Sequence, residues 1–180
     1  MTTQVRTPLT ARPLTPAPSV WHLPPTDTAA TSARRTLRTQ LAVWHLEPLI
    51  DDAQVVVSEL VTNAVRHGNG IIRMGLQLIA LDDGSEHLLL EVHDQGRGLD
   101  PERLRQHAPC GLAEGGRGLE LVSHIAAAWG DAPAADGHTT WVCLALTQTT
   151  AGEPASHAWP ACTVNAQPGA PALERDAHAS

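Results

Sequence analysis

The sequence predicts an α/β (α+β) two-layer sandwich: a mixed, mostly antiparallel sheet with helices on one face. Three observations carry that expectation. Apolar residues recur at helical spacing in two consecutive segments, 26–44 and 51–67. Two strand-like segments follow, 71–80 and 87–94, joined by the short turn 82–85, and so short a connection makes them antiparallel neighbours. After a glycine-punctuated stretch, 94–118, come one more helical segment and one more strand.

Each element has its own reason. In TDTAATSARRTLRTQLAVW, Ala30, Ala33, Leu37 and Leu41 form an apolar stripe, and Asp27 is placed to cap the helix. Arg34, Arg35 and Arg38 fall on the other side, as a solvated face or a partner-binding patch. Pro48 and Asp51 lead into the second helix, whose buried arc is Val56, Val57, Leu60, Val61 and Ala64. Gly68 is expected to end it in a left-handed cap. IIRMGLQLIA alternates, with Met74, Leu76 and Leu78 on one side, and HLLLEVHD returns beside it. The third helix is expected over 119–129, with Leu119, Val122, Ile125 and Trp129 on one stripe and Gly130 as its stop. HTTWVCLALT closes the domain as a strand.

Proline marks the expected boundaries. Six of the 14 prolines precede residue 26 and four follow residue 150. These Pro-rich ends carry too little apolar content to offset the entropy of ordering, so 1–25 and 148–180 are expected to be disordered arms around a folded domain at 26–147. The chain has 180 residues, enough for one well-buried domain. Its formal charge is -7 and all its basic side chains are Arg; an acidic protein repels a phosphate backbone, which argues against a nucleic-acid partner. Cys110, Cys143 and Cys162 have no CxxC spacing, which argues against a disulfide framework or a zinc site. Neither a signal-peptide core nor a run of about 20 apolar residues is present, so a cytoplasmic location without membrane contact is expected.

Three segments carry possible chemistry. On the second helix, Glu59, Asn63 and Arg66 are spaced i, i+4, i+7 and share a face away from the buried arc. An Asn oxygen is a hard ligand for Mg²⁺, and a Glu one turn away can accept a proton from an attacking hydroxyl. A plain polar helix face explains the same residues. In LLLEVHDQGRGLD, Asp94 ends a buried strand ahead of Gly96 and Gly98. A strand-end carboxylate can accept from the exocyclic amine of adenine, and glycines let backbone approach a flat base; a simple turn is the other reading. In GGRGLELV, Gly116, Arg117, Gly118 and Leu119 open a helix, where free N–H groups favour a phosphate; a loose glycine hinge is the other reading.

In this order the three segments resemble the superfamily built on the Bergerat ATP-binding fold. SELVTNAVRHG looks like its N-box, VHDQGRGLD like its first glycine box and GGRGLELV like its second. With GHTTW near Trp141, the likeness is greatest to bacterial anti-sigma-factor serine kinases and their small actinobacterial relatives, over about 26–147. The resemblance implies ATP and Mg²⁺ as cofactors, Asn63 as the metal ligand and Glu59 as general base. It also implies that Asp94 recognises adenine with Thr139 helping through water, that Gly96, Gly98, Gly116 and Gly118 line the nucleotide, and that 99–115 form a lid. Phosphoryl transfer to a serine of an anti-sigma antagonist is the implied activity. A sigma factor and a second copy of the chain are the further implied partners. Two positions depart from the pattern. His138 stands where the actinobacterial relatives often have Lys, and Glu114 stands near the lid arginine of the sporulation-type kinases, with Arg117 the nearest substitute. A binding module that holds ATP and sequesters a partner without catalysis is the alternative reading.

Overall fold

The computed structural model describes residues 11–15, 17–97 and 117–146. Gly98, Gly116, the expected lid at 99–115 and the tail from 148 lie outside the described residues, as does the side chain of Arg117.

Helix α1 spans Ala29–Val43 and buries Ala29, Ala33, Leu37 and Leu41, one residue per turn. It begins without a side-chain cap: Thr28 holds the cap position, so Asp27 does not do the work expected of it. A 3₁₀ turn at Glu47–Leu49 feeds helix α2, Ile50–His67, with Asp51 and Asp52 in its first turn and Arg66 and His67 in its last. That charge order suits the helix dipole. Val56, Val57, Leu60, Val61 and Ala64 are buried as their spacing requires, with Ala53 added. Gly68 follows in an extended conformation (φ -81°, ψ -171°), so it is not the left-handed cap expected.

Strands β3 (Ile72–Leu81) and β4 (Glu86–Asp94) form the long hairpin read from the sequence. Strand β6, Gly137–Ala145, pairs with β4 on its other side. Every pairing among the described strands is antiparallel. Met74, Leu76, Leu88, Leu90, Val92, Val142 and Leu144 project from one sheet face into the core with α1 and α2. This is a two-layer arrangement of the Bergerat type.

Two expectations fail here. The chain before residue 26 is not wholly an unstructured arm: β1 (Ala11–Pro13) and β2 (Ser19–Leu23) lie in tandem along the free edge of β3. The physical reason is phase. Trp21 and Leu23 pair with Met74 and Ile72 and reach the same core, which gives apolar burial to a segment whose composition looked too polar. The third helix, α3, runs from Arg117 and stops at Ile125, short of Trp129. The amide of Ala127 already donates to the Cys143 carbonyl, and Ala128–Ala134 form strand β5 against β6. Gly130 is therefore no helix stop. A side chain there would collide with the indole of Trp141 on the neighbouring strand. Trp129 nonetheless packs on the core beside Ile125, and its indole N–H donates to Ser123 of α3 at 3.0 Å.

The opposite sheet face carries a second, smaller cluster of Ile79, Leu81, Leu89, Ala128, Trp141 and Cys143, with Ala11 against it.

Candidate functional site

Helix α2 packs on β3, β4, β6 and α3, and its outer face carries Glu59, Asn63 and Arg66. Glu59 and Asn63 are half-buried, and neither makes a side-chain hydrogen bond among the described residues.

The two ends of this face meet different partners. At its C-terminal end, the Gly96 amide donates to Asp94 Oδ1 at 2.7 Å, closing a tight turn after β4. The Gln95 amide donates to the Asn69 carbonyl at 2.8 Å, which ties that turn to the exit of α2. Gly68 and Gly96 face each other so closely that a Cβ on Gly96 would lie 2.9 Å from the Gly68 Cα. A Cβ on Gly68 would strike the Asp94 carboxylate. Glycine is needed at both positions because backbone meets backbone. One oxygen of Asp94 accepts from the turn.

At the N-terminal end, Gly118 in the first turn of α3 lies against the Glu59 carboxylate, and a Cβ there would occupy the place of Oε2. Leu119 next to it is buried. Glu59 and Gly118, read from separate motifs, are neighbours in space. A carboxylate at a helix N-terminus is also favoured by the helix dipole.

Thr139 does not stand beside Asp94. Residues paired across antiparallel strands share a face, and alternate residues along a strand swap faces. Asp94 pairs with His138, whereas Thr139 pairs with His93, whose Nδ1 lies 3.2 Å from the Thr139 hydroxyl on the opposite face. The threonine on the Asp94 face is Thr140, in phase with the core residues Val142 and Leu144. It donates to Asp131 Oδ1 of β5 at 3.3 Å, and His138 Nδ1 rests against the same carboxylate. Thr140, with its partner Asp131, is the residue on the Asp94 face that sequence reading passed over in favour of Thr139. The signal available was the inward alternation of Val142 and Leu144, counted back two residues.

Behind the site, on the opposite face, Asp136 joins Arg73 (3.2 Å) and His93 Nε2 (3.3 Å). Burial, helped by Arg73, pushes the His93 imidazole below its usual value, against the pull of Asp136 and Asp94. Burial pushes the Glu91 carboxyl up.

A helix pair over an antiparallel sheet, with an Asn and a Glu on one helix face and glycine turns at both ends of that face, is the frame of a histidine kinase-like ATPase. Residues 23–145 match the family described as the histidine kinase-like ATPase domain, and the chain belongs to that family. It is also similar to the serine-protein kinase RsbW of Bacillus licheniformis, with 35% identity over 88 residues. That similarity covers 42% of this chain and 52% of the relative, so the chain spans about half the length of the curated relative it matches. No helix among the described residues is long and apolar enough to cross a membrane.

Proposed function

We propose that this protein binds ATP with Mg²⁺ and transfers the γ-phosphate to a serine of a small antagonist protein, thereby regulating a sigma factor. The observation that carries the reading is the placement of contacts along α2. Gly118 meets Glu59, and Asp94 meets Gly68, nine residues later. Along a helix axis that separation is about 13 Å, close to the reach of an adenine nucleotide from its base to its phosphates. Asn63 lies between the two ends.

On this reading Asp94 accepts a hydrogen bond from the adenine amine, and Gly68 and Gly96 let the base lie close to backbone. The first turn of α3, with Gly118 and Leu119, receives the phosphates through its free amides. Asn63 Oδ1 is a hard oxygen without a hydrogen-bond partner among the described residues, which fits Mg²⁺; the bound ion supplies charge neutralisation at the phosphate oxygens. Gly98 and Gly116 line the nucleotide on this reading, and Arg117 adds a charged contact to the phosphates. Glu59 takes the proton of the serine hydroxyl as its oxygen attacks the γ-phosphorus. The bond from that phosphorus to the bridging oxygen breaks, and ADP leaves.

The second reading is a sequestering module without catalysis. It is favoured by Glu114, an acidic residue near the place of the lid arginine. One experiment separates the two. Purified protein is mixed with labelled ATP, Mg²⁺ and candidate antagonists from the same genome. Label on a serine that is lost with Glu59→Gln supports the kinase. ATP-dependent capture of a partner with no label on any candidate supports the module.

A further inference from the structure

We infer that His138, held by Asp131, reads the base of the bound nucleotide together with Asp94, so that the site recognises both hydrogens of a purine 6-amino group. The inference rests on the ATP-binding reading above and deepens it.

Asp94 and His138 are directly paired across β4 and β6 and project from the same face of the sheet. The Asp94 carboxylate has one oxygen committed to the Gly96 amide, which leaves a single oxygen for a ligand. One carboxylate oxygen reads one N–H, whereas an exocyclic amine presents two. His138 is the neighbouring side chain with an acceptor to offer. Its Nδ1 is buried against the carboxylate of Asp131, and Asp131 also accepts from Thr140 at 3.3 Å. A carboxylate at Nδ1 selects the tautomer that carries the proton on that nitrogen. In the neutral ring, Nε2 is then an acceptor, and it makes no hydrogen bond among the described residues. Asp131 is a positioning residue: it fixes the tautomer and orientation of the ring. Thr140 in turn orients Asp131. A 6-oxo purine offers neither acceptor a hydrogen.

The test compares ATP with N6-methyl-ATP, which lacks one of the two amine hydrogens. Binding of each to the full chain is measured by calorimetry with Mg²⁺ at pH 8. Losing one net hydrogen bond lowers affinity by about 3- to 10-fold. The wild type is expected to bind N6-methyl-ATP weaker than ATP by that factor, and the discrimination should fall to near one in His138→Ala. His138→Gln, whose amide oxygen can accept, should restore part of it. Asp131→Ala should reduce the discrimination as well and abolish the Nδ1–H tautomer of His138 in nitrogen-15 NMR, a readout that loss of packing alone does not move. Thermal melts check that each variant is folded. Equal binding of both nucleotides by the wild type, or undiminished discrimination in His138→Ala, overturns the inference and leaves ATP binding standing. Absence of ATP binding by the wild type overturns the underlying reading and this inference with it.

Discussion

At the scale of single residues, Asp94 closes the Gly96 turn, and its removal tests the adenine contact proposed for it. On the proposed reading, Asp94→Ala loses a charge-assisted hydrogen bond to the base, worth about 1.5–3 kcal/mol, or roughly 10- to 100-fold in ATP affinity. It also opens the Gly96 turn, so calorimetry is paired with a thermal melt; unchanged ATP affinity in a folded variant would remove Asp94 from the site. His93 and Glu91, both on the opposite face, contribute pH dependences of stability of opposite sign. His93 has a lowered pKa in the folded chain, so below the usual imidazole value of 6.5 the unfolded chain binds the proton more readily. Stability is therefore lost as pH falls through 6.5. Glu91 has the reverse sign. Its raised pKa makes the folded chain the better proton binder above 4.5, so stability falls as pH rises through that window. Glu91→Gln should raise the denaturation midpoint at pH 7 and flatten the slope just above pH 4.5; a lower midpoint would show a contribution from the charge instead. The positions of Glu59 and Asn63 on one helix and of Asp94 at a strand end were legible in the sequence because spacing and periodicity fix them. Thr140 was passed over because Thr139 stands beside it and the alternation that separates their faces lies downstream, in Val142 and Leu144.

At the scale of elements, α2 and the β3–β4 hairpin were legible to within a residue or two, since both show unbroken apolar periodicity. Strand β5 was hidden. Its sequence AWGDAPA is poor in β-branched residues, and Trp129 continues the helical phase of Leu119, Val122 and Ile125. Its place is fixed from outside, by the two-residue connection to β6 and by the Trp141 indole lying over Gly130. Gly130→Ala should accordingly crowd the indole and cost about 1–3 kcal/mol. Denaturation followed by tryptophan fluorescence would register the loss, and a variant as stable as the wild type would mean that the ring moves aside freely. Leu60→Ala, in the centre of the α2 arc, should cost more, about 2–5 kcal/mol.

For the whole molecule, the early strands matter most. Strands β1 and β2 cover the outer edge of β3, so removal of residues 1–23 bares a long, apolar strand edge. The truncated chain is expected to melt lower and to self-associate, which size-exclusion chromatography and a thermal scan would reveal. A monomer with the wild-type melt would mean that the edge needs no cover. One feature of the sheet reaches further. Strand β4 ends at Asp94 and α3 begins at Arg117, and both are pinned to the same helix, the first through Gly68 and the second through Glu59. The contacts that pin these ends admit no side chain: a Cβ on Gly68 would strike the Asp94 carboxylate, and one on Gly118 would take the place of Glu59 Oε2. One helix is thus the post to which both flanking elements are tied, so a change at either glycine disturbs local packing and the candidate site together.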